Sequence, residues 1–323
     1  MKALVCGGAG YIGSHMVRAL MQRGFEILVV DDLSTGHVES LDGVDIARVS
    51  LQDQAAIDQT ISRWKPDVVF HFAASSIVRD SVADPLAYYR NNVTGTINLL
   101  EAMRRHDIAK MIFSSTAAVY GLPLVETIDE SQPLRPINPY GSSKMIVEGL
   151  LAQAYRAYNI RSVSLRYFNA AGAAPDGRIG EAHDPETHLV PNAIRAALLG
   201  APLTVFGNDY ATDDGTCVRD YVHVCDLADA HLLACDYLGR QSGAYSFNLG
   251  TGRGCSVMDI VKVVGRATGS LPRVVIEPRR EGDPDRLVAS PLLAMHELGW
   301  RPVMSDLETI VGTAARWHAH PRY

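Results

Sequence analysis

Near its start the chain runs Gly7-Gly8-Ala9-Gly10-Tyr11-Ile12-Gly13, with glycines at 7, 10 and 13. The apolar Ala3–Cys6 before it reads as a buried strand. Tyr11–Arg23 after it carries Ile12, Met16, Val17 and Leu20 at helical spacing. In a strand–turn–helix of this kind the bare backbone can approach a pyrophosphate, and the helix N-terminus offers free N–H groups and a positive dipole end. Asp31 ends the next apolar run, Ile27–Val30, eighteen residues past Gly13. A carboxylate there accepts hydrogen bonds from a ribose diol. With Asp32 beside it, a 2′-phosphate would be repelled, so NAD is the expected cofactor rather than NADP.

The same alternation continues. Val44–Val49 and Val68–Phe72 read as strands around a helix at Gln54–Trp64. A long helix at Leu86–Arg105 leads to a strand at Lys110–Ser114, and a helix at Pro139–Tyr158 to a strand at Arg161–Arg166. Strands apolar throughout and separated by helices predict an α/β fold, a doubly wound, Rossmann-like parallel sheet covered on both faces. Beyond Arg166 the rhythm changes. Ala170–Pro185 reads as a loop. Short strands (Leu203–Phe206, Ser246–Leu249, Val274–Glu277) then mix with helices (His188–Leu199, Val224–Leu238, Ser256–Thr268). We expect an NAD-binding part at 1–170 and a smaller mixed α/β substrate part at 171–323, with some later segments returning to the first.

Composition excludes several classes. Of 323 residues 47% are hydrophobic and 20% charged, as in an ordinary globular protein, and the net charge is −6. A basic field for nucleic acid or for a membrane surface is missing, so phosphates must be held locally. Five cysteines without a Cys-x-x-Cys fit buried, reduced thiols, and the eleven histidines show no metal-ligand spacing, so no metal is expected. No apolar run reaches the roughly 18 residues of a membrane span. Lys2–Cys6 leads straight into the glycine turn, leaving no room for a signal peptide, and a cytoplasmic setting is expected.

Tyr140 and Lys144 stand four residues apart on a predicted helix and share a face. An ammonium near a phenol favours the phenolate, which makes Tyr140 a candidate proton acceptor. Ser114, Ser115 and Thr116 end the preceding strand, at the edge where doubly wound sheets bind ligands. A hydroxyl there would be the third member of a proton-transfer site.

These features, together with His71–Ala74, Asn91–Val93, Ser114–Tyr120, Tyr140–Lys144, Arg166–Asn169, Phe206–Tyr210, Gly215–Tyr221 and Arg279–Asp283, resemble the extended short-chain dehydrogenase/reductase family, and within it the UDP-glucose 4-epimerase branch, from end to end. The resemblance implies that Tyr140 takes the proton of a sugar 4-hydroxyl, that Lys144 tunes it and contacts the nicotinamide ribose, and that Thr116 bridges, with Ser115 beside them. Hydride would pass from C4 to bound NAD, leaving a 4-keto sugar, and return to its other face.

The cofactor contacts implied are Gly7, Gly10, Tyr11, Ile12, Gly13, Asp31, Asp32, Ser50, Leu51, Phe72, Ala73, Ala74, Ser76, Asn91, Ser114, Tyr140, Lys144 and Phe168. Those implied for a UDP-sugar are Thr116, Tyr140, Asn169, His188, Leu189, Phe206, Arg219, Arg280, Asp283 and Leu287. Arg219 and Arg280 suit phosphate oxygens, because a guanidinium pairs with them in a planar fork. Ser50, Ser76 and His188 depart from the residues most common in the family, and Leu287 stands where the size of a 2-acetamido group is felt. A 4,6-dehydratase would need an Asp-Glu pair where this chain has Ala117-Ala118. Other UDP-sugar 4-epimerases, acting on N-acetylhexosamine, uronate or pentose, remain alternatives, as does a non-catalytic NAD-binding regulator. By the same resemblance the helices at 86–105 and 139–158 would pair in a homodimer.

Overall fold

The structure is a computed structural model that describes residues 1–280 and 282–323; Glu281, inside the Arg279–Asp283 motif, lies outside the described residues. In chain order the strands are β1 (Lys2–Cys6), β2 (Glu26–Asp31), β3 (Ile46–Arg48), β4 (Val68–His71), β5 (Lys110–Thr116), β6 (Arg161–Tyr167), β7 (Asn169–Ala171), β8 (Pro202–Phe206), β9 (Val218–His223), β10 (Ala244–Leu249), β11 (Gly254–Ser256), β12 (Arg273–Glu277) and β13 (Arg286–Leu287).

Seven of them form one parallel sheet in the order β10-β6-β5-β4-β1-β2-β3. The doubly wound reading follows from what covers it. On one face Met16, Val17 and Leu20 of the helix Tyr11–Gln22 pack with Leu227, Leu232 and Leu238 of Val224–Arg240. On the other, Ile57 and Ile61, Leu99 and Met103, and Val147 and Leu151 come from the helices Gln54–Trp64, Gly95–Arg105 and Pro139–Tyr158. Strands sandwiched in this way are buried on both faces, and the short apolar runs of β1, β2 and β4 made them readable.

Helix starts follow their caps. Asp53 accepts from Ala56 N and Asn138 from Gly141 N, and both helices begin where the sequence places them. The long helix predicted over 86–105 starts at Pro85 and carries a π-helical stretch, Tyr89–Thr94, between two α segments.

The second half departs more. Ala244–Leu249 leaves the mixed region and completes the main sheet, Ser246 pairing with Ser164 of β6. β9, unpredicted because Arg219, Asp220 and His223 interrupt its apolar pattern, is the hub of the smaller sheet: β7 and β13 lie parallel to it and β11 antiparallel. A third cluster packs the helices Leu189–Leu199, Val257–Thr268 and Leu307–Ala319 together. All five cysteines are free thiols, but only Cys6 and Cys235 are buried; Cys217, Cys225 and Cys255 are half-buried, a correction to the expectation of buried thiols throughout.

Candidate active site

Because β1, β4, β5 and β6 are parallel, their carboxyl ends open on one edge of the sheet, where the predicted residues collect. Gly7 there has φ +77°, and a Cβ on it would lie 2.4 Å from Ala73 N; one on Gly13 would lie 2.0 Å from Gly7 O. Both glycines are required by the chain's own backbone. Gly10 differs: a Cβ would meet nothing of the protein nearer than 3.5 Å, and its extended backbone (φ −77°, ψ 175°) suits any residue. Its bareness leaves room for something outside the chain. It caps a helix whose first turn has neither side-chain cap nor acid, so the free N–H groups face that room. The cradle fits a dinucleotide pyrophosphate.

Asp31 is buried. It accepts from Ala9 N and from Leu33 N, both at 2.9 Å, so it braces the glycine turn. Burial raises its pKa, and the two backbone hydrogen bonds work against that rise. The exposed Asp32 accepts from Ser34 N at 3.0 Å. Tyr11 donates to Gly172 O at 2.6 Å, tying the loop to the second half, while Ile12 packs into the core beneath. Phe72 N and Ala73 N both donate to Cys6 O. Ala74 is half-buried beside them and Ser76 is exposed. Asn91 donates to Ser75 Oγ at 3.1 Å, Ser50 Oγ accepts from Gln52 N at 3.4 Å, and the buried Leu51 accepts from Asn98 through its carbonyl. Asn92, absent from the expected set, holds the same turn through Ser75 N and O and reaches Ser143 Oγ at 3.0 Å.

Tyr140 and Lys144 lie in the first two turns of Pro139–Tyr158, with the Lys144 Nζ 6.0 Å from the Tyr140 ring centre. Lys144 is buried, donates to Ser114 O at 2.7 Å and lies over Phe113. The simple expectation that lysine lowers the tyrosine pKa is corrected. Desolvation pushes Tyr140 up to about 12, against the pull of the Thr116 hydroxyl beside it. Burial likewise brings Lys144 down to about 7, with the Glu148 carboxylate opposing. Near neutral pH Tyr140 therefore rests as the phenol, while Lys144 sits close to the midpoint of its titration.

Ser115 is also corrected. Side chains alternate along a strand, so Ser115 turns away from Thr116 and donates to Glu148 Oε1 at 2.5 Å in the interior. It belongs to a network the sequence did not announce: Arg166 forks onto Glu148 at 3.0 and 2.6 Å and reaches Tyr120 Oη at 2.8 Å, and Tyr120 donates to Asn248 at 2.7 Å. This ties β5, β6 and β10 to the helix that carries Tyr140.

The substrate candidates gather around β9. Leu287 pairs with Arg219 in register. Arg219 is ion-paired with Asp283, which also accepts from Tyr210 at 3.3 Å. Arg280 stacks its guanidinium 4.0 Å over Phe206, and among the described residues no carboxylate pairs with it. Asn169 opens β7 just past the buried Phe168, and Leu189 opens the helix Leu189–Leu199. His188 stands apart from this group: its Nδ1 faces Glu181 at 2.7 Å and Glu186 at 3.1 Å. Asp220, also unforeseen, is buried and accepts from Thr251 N, Gly252 N and Ala289 N, fixing the turn beside Arg219. Glu181, His183, Glu186 and His188 bring ligating atoms within 4.8 Å of one another, a convergence that histidine spacing did not announce.

Fold and geometry define a dinucleotide-binding α/β protein with a buried tyrosine and lysine side by side at the open edge of its sheet. Residues 3–250 match the NAD dependent epimerase/dehydratase family, and the chain belongs to it. The UDP-glucose 4-epimerase of Halalkalibacterium halodurans is 47% identical over 99% of this chain and 97% of its own. The crystal structure of the Brucella ovis UDP-glucose 4-epimerase in complex with NAD is 50% identical, with TM-score 0.95 and 97% of both chains covered. That of the Bifidobacterium longum enzyme in complex with NAD⁺ and UDP is 34% identical, with TM-score 0.94 and 99% of both covered. The resemblance read from the motifs therefore spans nearly the whole chain. Among the described residues, no helix is long and apolar enough to cross a membrane.

Proposed function

We propose that the protein is an NAD-dependent isomerase that interconverts UDP-glucose and UDP-galactose by inverting the sugar at C4. The observation that carries this is the Thr116–Tyr140–Lys144 group at the carboxyl end of β5, on the same sheet edge as the bare Gly10 cradle. When bound, NAD would supply reversible hydride exchange at C4 and, in its oxidised form, a positive charge that favours the phenolate. Gly7–Gly13 hold its pyrophosphate with backbone N–H groups, and Asp31 and Asp32 accept from its ribose. Ser50, Leu51, Phe72, Ala73, Ala74, Ser76, Asn91 and Phe168 line the remainder.

Once its own proton has passed to Lys144, Tyr140 Oη accepts the proton of the 4-hydroxyl, through hydrogen bonding shared with Thr116, and returns it after inversion. Lys144, fixed on Ser114 O, takes that proton and holds the resulting charge close to the phenolate. Arg219 and Arg280 hold the second pyrophosphate; the Arg219–Asp283 pair keeps the guanidinium extended until phosphate competes for it. Asn169, Leu189, Phe206 and Leu287 complete the sugar and uracil contacts. The NAD part comprises residues 1–170 with the helix Val224–Arg240 and β10 returning to it, and the UDP-sugar part the remainder of 171–323. A homodimer and a cytoplasmic setting go with this reading. The dimer is supported by Leu86, Ile97 and Ile146, apolar and exposed on the helices expected to pair.

The test is conversion of UDP-galactose by purified protein without added NAD. Turnover is expected in wild type, and Tyr140→Phe should lose about 10²–10⁴-fold in kcat while retaining NAD and its melting temperature. Wild-type turnover by Tyr140→Phe would remove Tyr140 as the proton acceptor. Inactivity of the native chain on every UDP-hexose would remove the epimerase reading itself.

A further inference from the structure

We propose that Glu181, His183, Glu186 and His188 form a structural site for a divalent transition-metal ion of the zinc class. The loop after Gly180 folds back on itself just before the helix Leu189–Leu199, so four side chains from eight consecutive residues converge. The Nδ1 atoms of both histidines face the same two carboxylates. His183 Nδ1 lies 3.2 Å from Glu181 Oε1 and 3.7 Å from Glu186 Oε2; His188 Nδ1 lies 2.7 Å from Glu181 Oε1 and 3.1 Å from Glu186 Oε1. Ligands at zinc distances in a tetrahedron stand about 3.3 Å from one another, and these four separations bracket that value.

Three further points favour a metal over a plain ion-pair cluster. His183 Nδ1 is buried, yet it makes no well-directed hydrogen bond to either carboxylate it faces. Two imidazoles and two carboxylates suit zinc or its neighbours, whereas magnesium and calcium take oxygen ligands. A hollow lined by Glu181, His183, Glu186, Arg195 and His318 opens beside the cluster and gives an ion a way in. Arg195 is the cation in that hollow, opposed by the two carboxylates.

Four protein ligands leave no open position, so the site is structural rather than catalytic. What it would fix is clear from its surroundings. Glu181 O accepts from Trp317 of the last helix, Ala182 O meets His37, and His183 packs edge-on against Tyr11 of the glycine turn. His188 is the N-cap residue of the helix that starts with Leu189. A bound ion would clamp the crossing from the cofactor half to the first substrate helix.

The experiment uses the full chain, stripped with a chelator, desalted and titrated with Zn²⁺ alone. About one ion per chain is expected by atomic emission, with a rise in melting temperature, and Co²⁺ in its place should give tetrahedral visible absorption bands. Glu181→Gln and the milder His183→Asn should each weaken Zn²⁺ binding by about tenfold or more, with NAD retention reporting that the variants are folded. The proposal is overturned if wild type retains no Zn²⁺ after desalting, or if both folded variants retain as much as wild type, because the ion would then sit on other histidines.

Discussion

Glu148 lies two helical turns beyond Tyr140 and contacts no ligand position, yet it should be among the costliest residues to alter. Its side chain is 7% exposed and that of its partner Arg166 is 6% exposed. Glu148 accepts from Arg166 twice and from Ser115 once, and burial notwithstanding, this carboxylate raises the Arg166 pKa further. Glu148→Gln removes the charge with little change in shape and leaves a buried guanidinium uncompensated, which costs about 3–5 kcal/mol. For 323 residues, an unfolding entropy of about 2.1 cal/mol/K per residue makes 1 kcal/mol worth about 1.5 °C. The melting temperature should therefore drop by roughly 4–7 °C in differential scanning calorimetry. The double change Glu148→Leu with Arg166→Met removes both charges and should lose much less than its two single changes together. A shift under about 1 °C for Glu148→Gln, or simple additivity in the double variant, would refute the reasoning.

Four further outcomes can be checked. Gly13→Ala should fail to fold stably, because its Cβ falls 2.0 Å from Gly7 O, whereas Gly10→Ala should melt like wild type and lose NAD on gel filtration; equal behaviour of the two would contradict the assigned cradle. His15, His71, His223 and His231 are buried neutral, with burial lowering their pKa to about 4, 3, 4 and 4. The unfolded chain binds more protons below about 6.5, so the stability they contribute is present above that pH and is lost as pH falls toward 4; a melting temperature flat from pH 6.5 to 4.5 would exclude this. Arg219→Lys keeps the charge but loses the planar fork, and should raise the Kd for UDP about tenfold or more by calorimetry. Ser115→Ala should lower stability by about 1 kcal/mol and leave kcat nearly unchanged, whereas a large kcat loss would return Ser115 to the proton-transfer group.

The parts of this molecule visible in its sequence are those governed by local chemistry. The glycine turn, the Asp53 and Asn138 caps and the fully apolar strands each carry their cause within a few residues. Ser115 was misjudged because a run of three hydroxyls does not say which faces inward; strand alternation, once the strand is extended to Thr116, would have separated them. β9 was hidden because Arg219 pairs with Asp283 and Asp220 holds a turn rather than packing in an apolar core. The place of β10 depends on pairing with β6, far away in sequence. The Glu181–His188 cluster forms only when its loop reverses, and no helical or strand period announces such a reversal. The resting pKa values of Tyr140 and Lys144 depend on how much water the fold removes, which residue spacing does not report.

The strand β10 also sets a clock for synthesis. Until Leu249 has left the ribosome, β6 stands as an open edge of the main sheet, with Ser162–Tyr167 unpaired on one side. At about 5–20 residues per second, translation from Tyr167 to Leu249 takes on the order of 4–16 s, far longer than collapse of the first half needs. During that interval the nascent chain presents an unpaired strand edge able to recruit a neighbour. A ribosome-stalled or truncated fragment ending near residue 170 should therefore be sticky, and the second half serves the first as the piece that shields its edge.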